Sequence, residues 1–126
     1  MSQLPRMMLS GIVLDSPDAQ VLAGFYRRLL GWPVQQDEPG WVKLSPPDGG
    51  PGLSFQTEPT YQRPVWPAGP ADQQMMVHLD IAVDDLDATS AHAVSVGAVV
   101  AEHQPQDDVR VHLDPAGHPF CFFLTE

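Results

Sequence analysis

Strand alternation in this sequence brings several side chains of a type that does chemistry onto one face. From Met76 to Val83 the chain alternates, placing Val77, Leu79, Ile81 and Val83 on one side and Met76, His78, Asp80 and Ala82 on the other. The first side is purely apolar and is expected under a helix. The second is mixed and must look into something wetter. His78 there is either a general base within reach of a substrate proton or a satisfied histidine in a lined cavity. Cys121, between Phe120 and Phe122, is either a small core hydrophobe or a thiol facing His78. Arg110 and His112 share a strand face by the same period. Pointing inward, Arg110 would clamp an anionic group; pointing outward, both sit on a solvated face. Trp41, Phe55 and Phe123 are candidates for an apolar lining, and Tyr61 and Trp66 for a flap over it. His118 belongs to a turn, and His92 and His103 read as surface residues.

The elements that must position these residues repeat. Pro47 and Pro115, each inside a Pro-, Gly- and Asp-rich turn that precedes an apolar run, lie 68 positions apart. Asp18 and Asp85, each following an apolar strand pattern and opening a helical one, lie 67 apart, and the glycines ending those helices, Gly31 and Gly97, lie 66 apart. Ser16-Pro17 reads as cap and first helical position, with Val21, Leu22, Phe25, Leu29 and Leu30 at helical spacing. Strands are expected over 9–15, 32–35, 41–45 and 52–57, then over 76–83, 98–102, 108–113 and 119–124. The result is an α+β chain of two βαβββ modules, about 8–57 and about 75–126. A Pro- and Gln-rich connection of about 58–74 joins them, all within one domain of 126 residues.

Composition excludes several classes of function. The net charge of −10 at pH 7 opposes binding to nucleic acid or to anionic membranes. No apolar stretch approaches the roughly 20 residues of a membrane span. A single cysteine rules out an intrachain disulfide and any multi-cysteine zinc site. The opening residues lack a signal-peptide pattern, so a cytoplasmic location is expected. The expected partners are a small molecule and a second copy of the chain, because open sheet edges favour pairing into a homodimer, with or without exchange of modules.

Three segments carry a family resemblance: Asp18 with Phe25-Tyr26-Arg27-Arg28-Leu29-Leu30-Gly31-Trp32, then His78 to Leu86, then Asp114-Pro115-Ala116-Gly117-His118-Pro119-Phe120. The chain resembles the vicinal oxygen chelate superfamily, which includes glyoxalase I, bleomycin resistance proteins and extradiol dioxygenases. The resemblance implies a glyoxalase-like fold with two cupped mixed sheets, helices outside, and a site in the cup between modules. In metal-using members it implies ligands on the first and last strands of each module. Those positions fall on Gly11, on His78, on Cys121, and on Leu53, Ser54 or Gln56. Glycine cannot ligate and none of the others is a carboxylate, so no cofactor is expected and a divalent metal is disfavoured. The expectation is therefore metal-independent binding of a small organic molecule, as in the bleomycin-binding branch. The alternative is a lyase, an isomerase or an atypical metalloenzyme that uses His78. The expected ligand-binding set is Met76, His78, Asp80, Trp41, Phe55, Gln56, Arg110, His112, Cys121 and Phe123.

Overall fold

A computed structural model describes residues 4–124, so the expected end of the second module at residue 126 lies outside the described residues. The first strand, β1 (Gly11–Ser16), leads into helix α1 (Ala19–Leu30). The helix starts later than Ser16-Pro17 suggests. Ser16 is still strand, and its Oγ accepts the Asp18 N–H at 3.1 Å. Asp18 is the true cap, its carboxylate accepting the N–H groups of Gln20 and Val21 at 3.0 and 3.4 Å. Thr57 Oγ1 takes the Ala19 N–H at 2.9 Å, tying the helix start to the end of the module's last strand. Gly31 closes the helix in the left-handed conformation, φ 71°, as its position implies.

Strands β2 (Val34–Glu38), β3 (Trp41–Leu44) and β4 (Gly52–Thr57) complete a sheet of order β1-β4-β3-β2, with β1 and β4 parallel. The second module repeats it with β5 (Leu79–Val83), α2 (Leu86–Ser95), β6 (Val99–Val100), β7 (Val109–Leu113) and β8 (Pro119–Leu124), in the order β5-β8-β7-β6. The pairing of β5 begins at Leu79 rather than Met76. One step earlier, His78 would face Pro119, whose nitrogen has no proton to donate. Strand β6 is also shorter than expected. The Gln104 side chain accepts the Val111 N–H at 2.9 Å and donates to the carbonyls of Val111 and Ala101 at 2.9 and 2.8 Å, standing in for ladder bonds.

The helix-covered faces of the two sheets share one core. Tyr26 of α1 stacks on Phe55 of the first sheet, ring centroids 5.5 Å apart, while Phe25 and Tyr26 lie 5.9 and 6.1 Å from Phe120 of the second. Helix α2 covers the same face of the second sheet, with Ser90 and Asp87 bonded to residues of β7. A polar bond crosses this core: the buried Tyr26 hydroxyl donates to Asp114 Oδ2 at 2.7 Å. Asp114 Oδ1 accepts the N–H groups of Ala116 and His118, fixing the Asp-Pro turn. Gly97 packs beside the Phe25 ring of α1, and it is its φ of 122° that suits glycine alone. Among the described residues no helix is long and apolar enough to cross a membrane.

Candidate functional site

With both helical faces turned into the core, the opposite faces of the two sheets look outward. On the second sheet, Asp80 pairs with Cys121, which pairs with Val111, and Ala82 pairs with Phe123, which pairs with Val109. In-register neighbours share a face, so Asp80, Cys121, Phe123, Val109 and Val111 form one surface. A cavity of about 400 Å³ lies on it, rimmed by His78 and Asp80 and partly covered by Trp66 from the connection. Trp66 is held by a 3.3 Å bond from its Nε1–H to the His103 carbonyl and by ring contact with His103 at 5.8 Å. Tyr61 pins the connection at another point, its hydroxyl donating to the Ala116 carbonyl at 2.8 Å. Burial first, then the charge of Asp114, pushes the Tyr61 phenol up to about 12, so it remains a donor at any physiological pH.

The site's chemistry is that of a base beside a thiol. His78 Nε2 stands 3.4 Å from Asp80 Oδ1, and both side chains are open to solvent. Burial raises the pKa of Cys121, and the charge of Asp80 raises it further, so the side chain stays a neutral thiol and not a nucleophilic thiolate. The sign is testable. Asp80→Asn removes the second cause, and iodoacetamide is expected to alkylate Cys121 faster in that variant at fixed pH. An unchanged or slower rate would mean that the Asp80 charge does not reach the sulfur.

Several expected site residues lie elsewhere. Phe55 is fully buried against Tyr26 on the helical side of its sheet, because β4 pairs Phe55 with Leu14 and Val42 of the core face. Arg110 and His112 are also on the helical side. Val111 pairs with Cys121 on the open face, so its neighbours must point the other way, opposite Phe122 and Phe120. His112 is buried, shares a 2.8 Å hydrogen bond with Ser90 Oγ and stacks on Phe120. Burial lowers its pKa and keeps it neutral. Arg110 forms an ion pair with Asp87 of α2 at 3.0 Å. Met76 sits in a bend before β5, 88% exposed, and lines a different hollow of about 330 Å³ between β1 and the connection.

Trp41 and Gln56 are on the open face, as in-register partners, but of the first sheet. With them lie Gly11, Val13, Asp15, Lys43 and Ser54. The cavity over the second sheet is walled by the second module and the connection, with no residue of the first sheet. Sequence reasoning missed Val109, Val111 and Lys43; the alternation of β7 against Arg110 and His112 was the available signal for the first two.

The ligand set implied for a metal does not fit a metal. Gly11 contributes nothing, and among the described residues no three His, Cys, Asp or Glu side chains stand close enough together to hold an ion.

Two cupped mixed sheets with helices on one side of each define the glyoxalase-like architecture. Residues 11–123 match the model of the glyoxalase-like domain, and the chain belongs to that family. Its fold is similar to that of a glyoxalase/bleomycin resistance protein/dioxygenase family enzyme from Burkholderia phytofirmans PsJN, with a TM-score of 0.72 and 16% identity over 95% of this chain and 100% of that one. It is also similar to a glyoxalase-related enzyme from Fulvimarina pelagi, with a TM-score of 0.68 and 16% identity over 95% and 89% of the two chains. A glyoxalase/bleomycin resistance protein from Albidiferax ferrireducens T118 gives a TM-score of 0.64 and 18% identity over 93% and 98%. At these identities the likeness is one of fold. No curated protein matches the sequence.

Proposed function

We propose that the open face of the second sheet is a half-site for a small amphipathic organic molecule, held without a resident metal and sequestered rather than transformed. The observation that carries this reading is the cavity of about 400 Å³ walled by Val109, Val111, Phe123 and Trp66, with the His78–Asp80 pair at its rim. An apolar body with one or two polar handles matches such walls. The lining contains Asp80 and Asp108 but no Lys or Arg, which favours a hydrogen-bond donor or a cationic group on that side of the ligand.

The half-site calls for a second half. The open face of the first sheet offers Trp41, Gln56 and Lys43, none of which lines the second-sheet cavity of its own chain, and a homodimer in which each copy's first sheet covers the other's second sheet completes two cups. The dimer works in the cytoplasm, where Cys121 remains a free thiol. The alternative reading, proton transfer by His78, draws on the 3.4 Å approach of the Asp80 carboxylate to its imidazole.

A thermal-shift panel of amphipathic amines, alcohols and acids, combined with light scattering, tests the proposal. A dimeric mass and a ligand that raises the melting temperature are expected. His78→Ala should weaken the best ligand about tenfold or more, the worth of one hydrogen bond to a charged group. Being exposed, it should change stability by less than about 0.5 kcal/mol. A monomer at micromolar concentration, or binding indifferent to His78, would defeat the reading. Turnover of a bound compound, lost on His78→Ala, would move the protein to the enzymatic alternative.

A further inference from the structure

Lys43 is the only lysine in the chain and lies on the open face of the first sheet, paired in register with Ser54. Its stem runs over two glycines. A Cβ on Gly52 would stand 3.2 Å from Lys43 Cε, and one on Gly11 would stand 3.8 Å from it. Gly52 admits no side chain at all, because its Cβ would also meet the Leu44 carbonyl oxygen at 2.5 Å. The ammonium donates to Ser10 Oγ at 2.8 Å, a neutral partner. Two of its three protons are left for another acceptor.

The repeat gives this arrangement its meaning. In the first sheet Val13 pairs with Ser54 as Asp80 pairs with Cys121 in the second, so Ser54 is the counterpart of Cys121. Gly11 lies 67 positions before His78 and is its counterpart, at the same distance from the helix cap. Where the second sheet presents an imidazole and a thiol, the first presents a bare glycine and a buried serine. A lysine stem ending in a positive charge crosses that space. The chain as a whole carries a charge of −10, so this placement of its one lysine is not a general surface property.

We propose that Lys43 is an anion-binding residue of the shared site, its ammonium receiving a carboxylate or similar anionic oxygen from a ligand whose apolar body lies in the second-sheet cavity of the partner copy. This rests on the two-copy reading above. The positive charge stands where Gly11 brings no metal ligand, and lysine meets an anion as a compact point charge without needing bidentate geometry. The ligand class narrows to amphipathic acids, with a donor group facing Asp80 permitted.

The single lysine makes the test clean. Reductive ¹³C-methylation labels Lys43 and the N-terminal amine while preserving their charges, and the labelled protein is titrated with benzoate and with uncharged benzamide. In parallel, iodoacetamide alkylation of Cys121 reports occupancy of the second-sheet cavity. Benzoate is expected to shift the Lys43 methyl signal saturably and to slow alkylation, while benzamide leaves the Lys43 signal in place. In unlabelled protein, Lys43→Met should raise the benzoate concentration that protects Cys121 about tenfold or more, and Lys43→Arg should retain most of the protection. Protection of Cys121 with an unmoved Lys43 signal would overturn the role of Lys43 and leave the cavity reading standing. A shifted Lys43 with unprotected Cys121 would support anion binding but break the shared site. No response at either group would overturn the proposal.

Discussion

Phe55→Ala is expected to lower the unfolding free energy by about 3–5 kcal/mol, whereas Phe123→Ala is expected to cost about 1 kcal/mol and to weaken ligand binding. Both are phenylalanines near the end of a module's last strand, and the sequence alone treats them alike. Phe55 has no exposed surface and stacks on Tyr26, which in turn reaches Phe120 across the module junction. Its removal leaves a void at the point where the first sheet meets α1. Phe123 is partly exposed on the open face and lines the cavity. Urea denaturation of the two variants checks the contrast. Equal losses, or a larger loss for Phe123, would mean that the first sheet presents its other face to the helix.

Asp114→Ala is expected to destabilise by about 3 kcal/mol or more, because it strands the buried Tyr26 hydroxyl and the N–H groups of Ala116 and His118 together. Asp114→Asn keeps an acceptor and a donor and should lose less. The two also differ in pH dependence. Burial, the dominant influence on Asp114, raises its carboxyl pKa in the folded protein, against smaller lowering effects from His118 and Tyr26. A raised folded-state pKa means that the contribution to stability is full below the unfolded value and is lost as pH rises through the folded value. The wild type should therefore lose stability over the carboxylate range relative to Asp114→Asn, which does not titrate. Denaturation curves from about pH 4 to about pH 7 read this as a narrowing gap between the two proteins. A gap that is constant, or that widens with pH, would show that hydrogen bonds outweigh burial at this carboxylate.

Much of the architecture is written locally. The spacing of Asp18 and Asp85, Gly31 and Gly97, and Pro47 and Pro115 marks two copies of one unit, since caps, left-handed glycines and Pro-Asp turns act through their own backbone. Alternation in β5 likewise set Asp80 on the face away from Leu79 and Ile81, where it pairs with Cys121, and His78, just before the strand, lies 3.4 Å from the Asp80 carboxylate. What period two leaves open is which face of a strand is buried. In β8, Phe120-Cys121-Phe122-Phe123 is apolar on both sides, so it could not say where β7 would turn Arg110 and His112. The tertiary structure placed them on the α2 side, where Ser90 supplies the partner that makes a buried histidine tolerable and Asp87 pairs with the half-buried Arg110.

The sequence by itself determined the two-module fold, the glycine that closes the first helix and the placing of Asp80 on the face opposite Leu79 and Ile81, all consequences of short-range periodicity and turn chemistry. Only the tertiary structure decided that the helical faces meet in one core and the open faces turn outward, and that Lys43 lies across Gly11 and Gly52. Those outcomes depend on contacts between segments far apart in the chain, such as Tyr26 with Asp114 and Phe25 with Phe120, which no local pattern encodes.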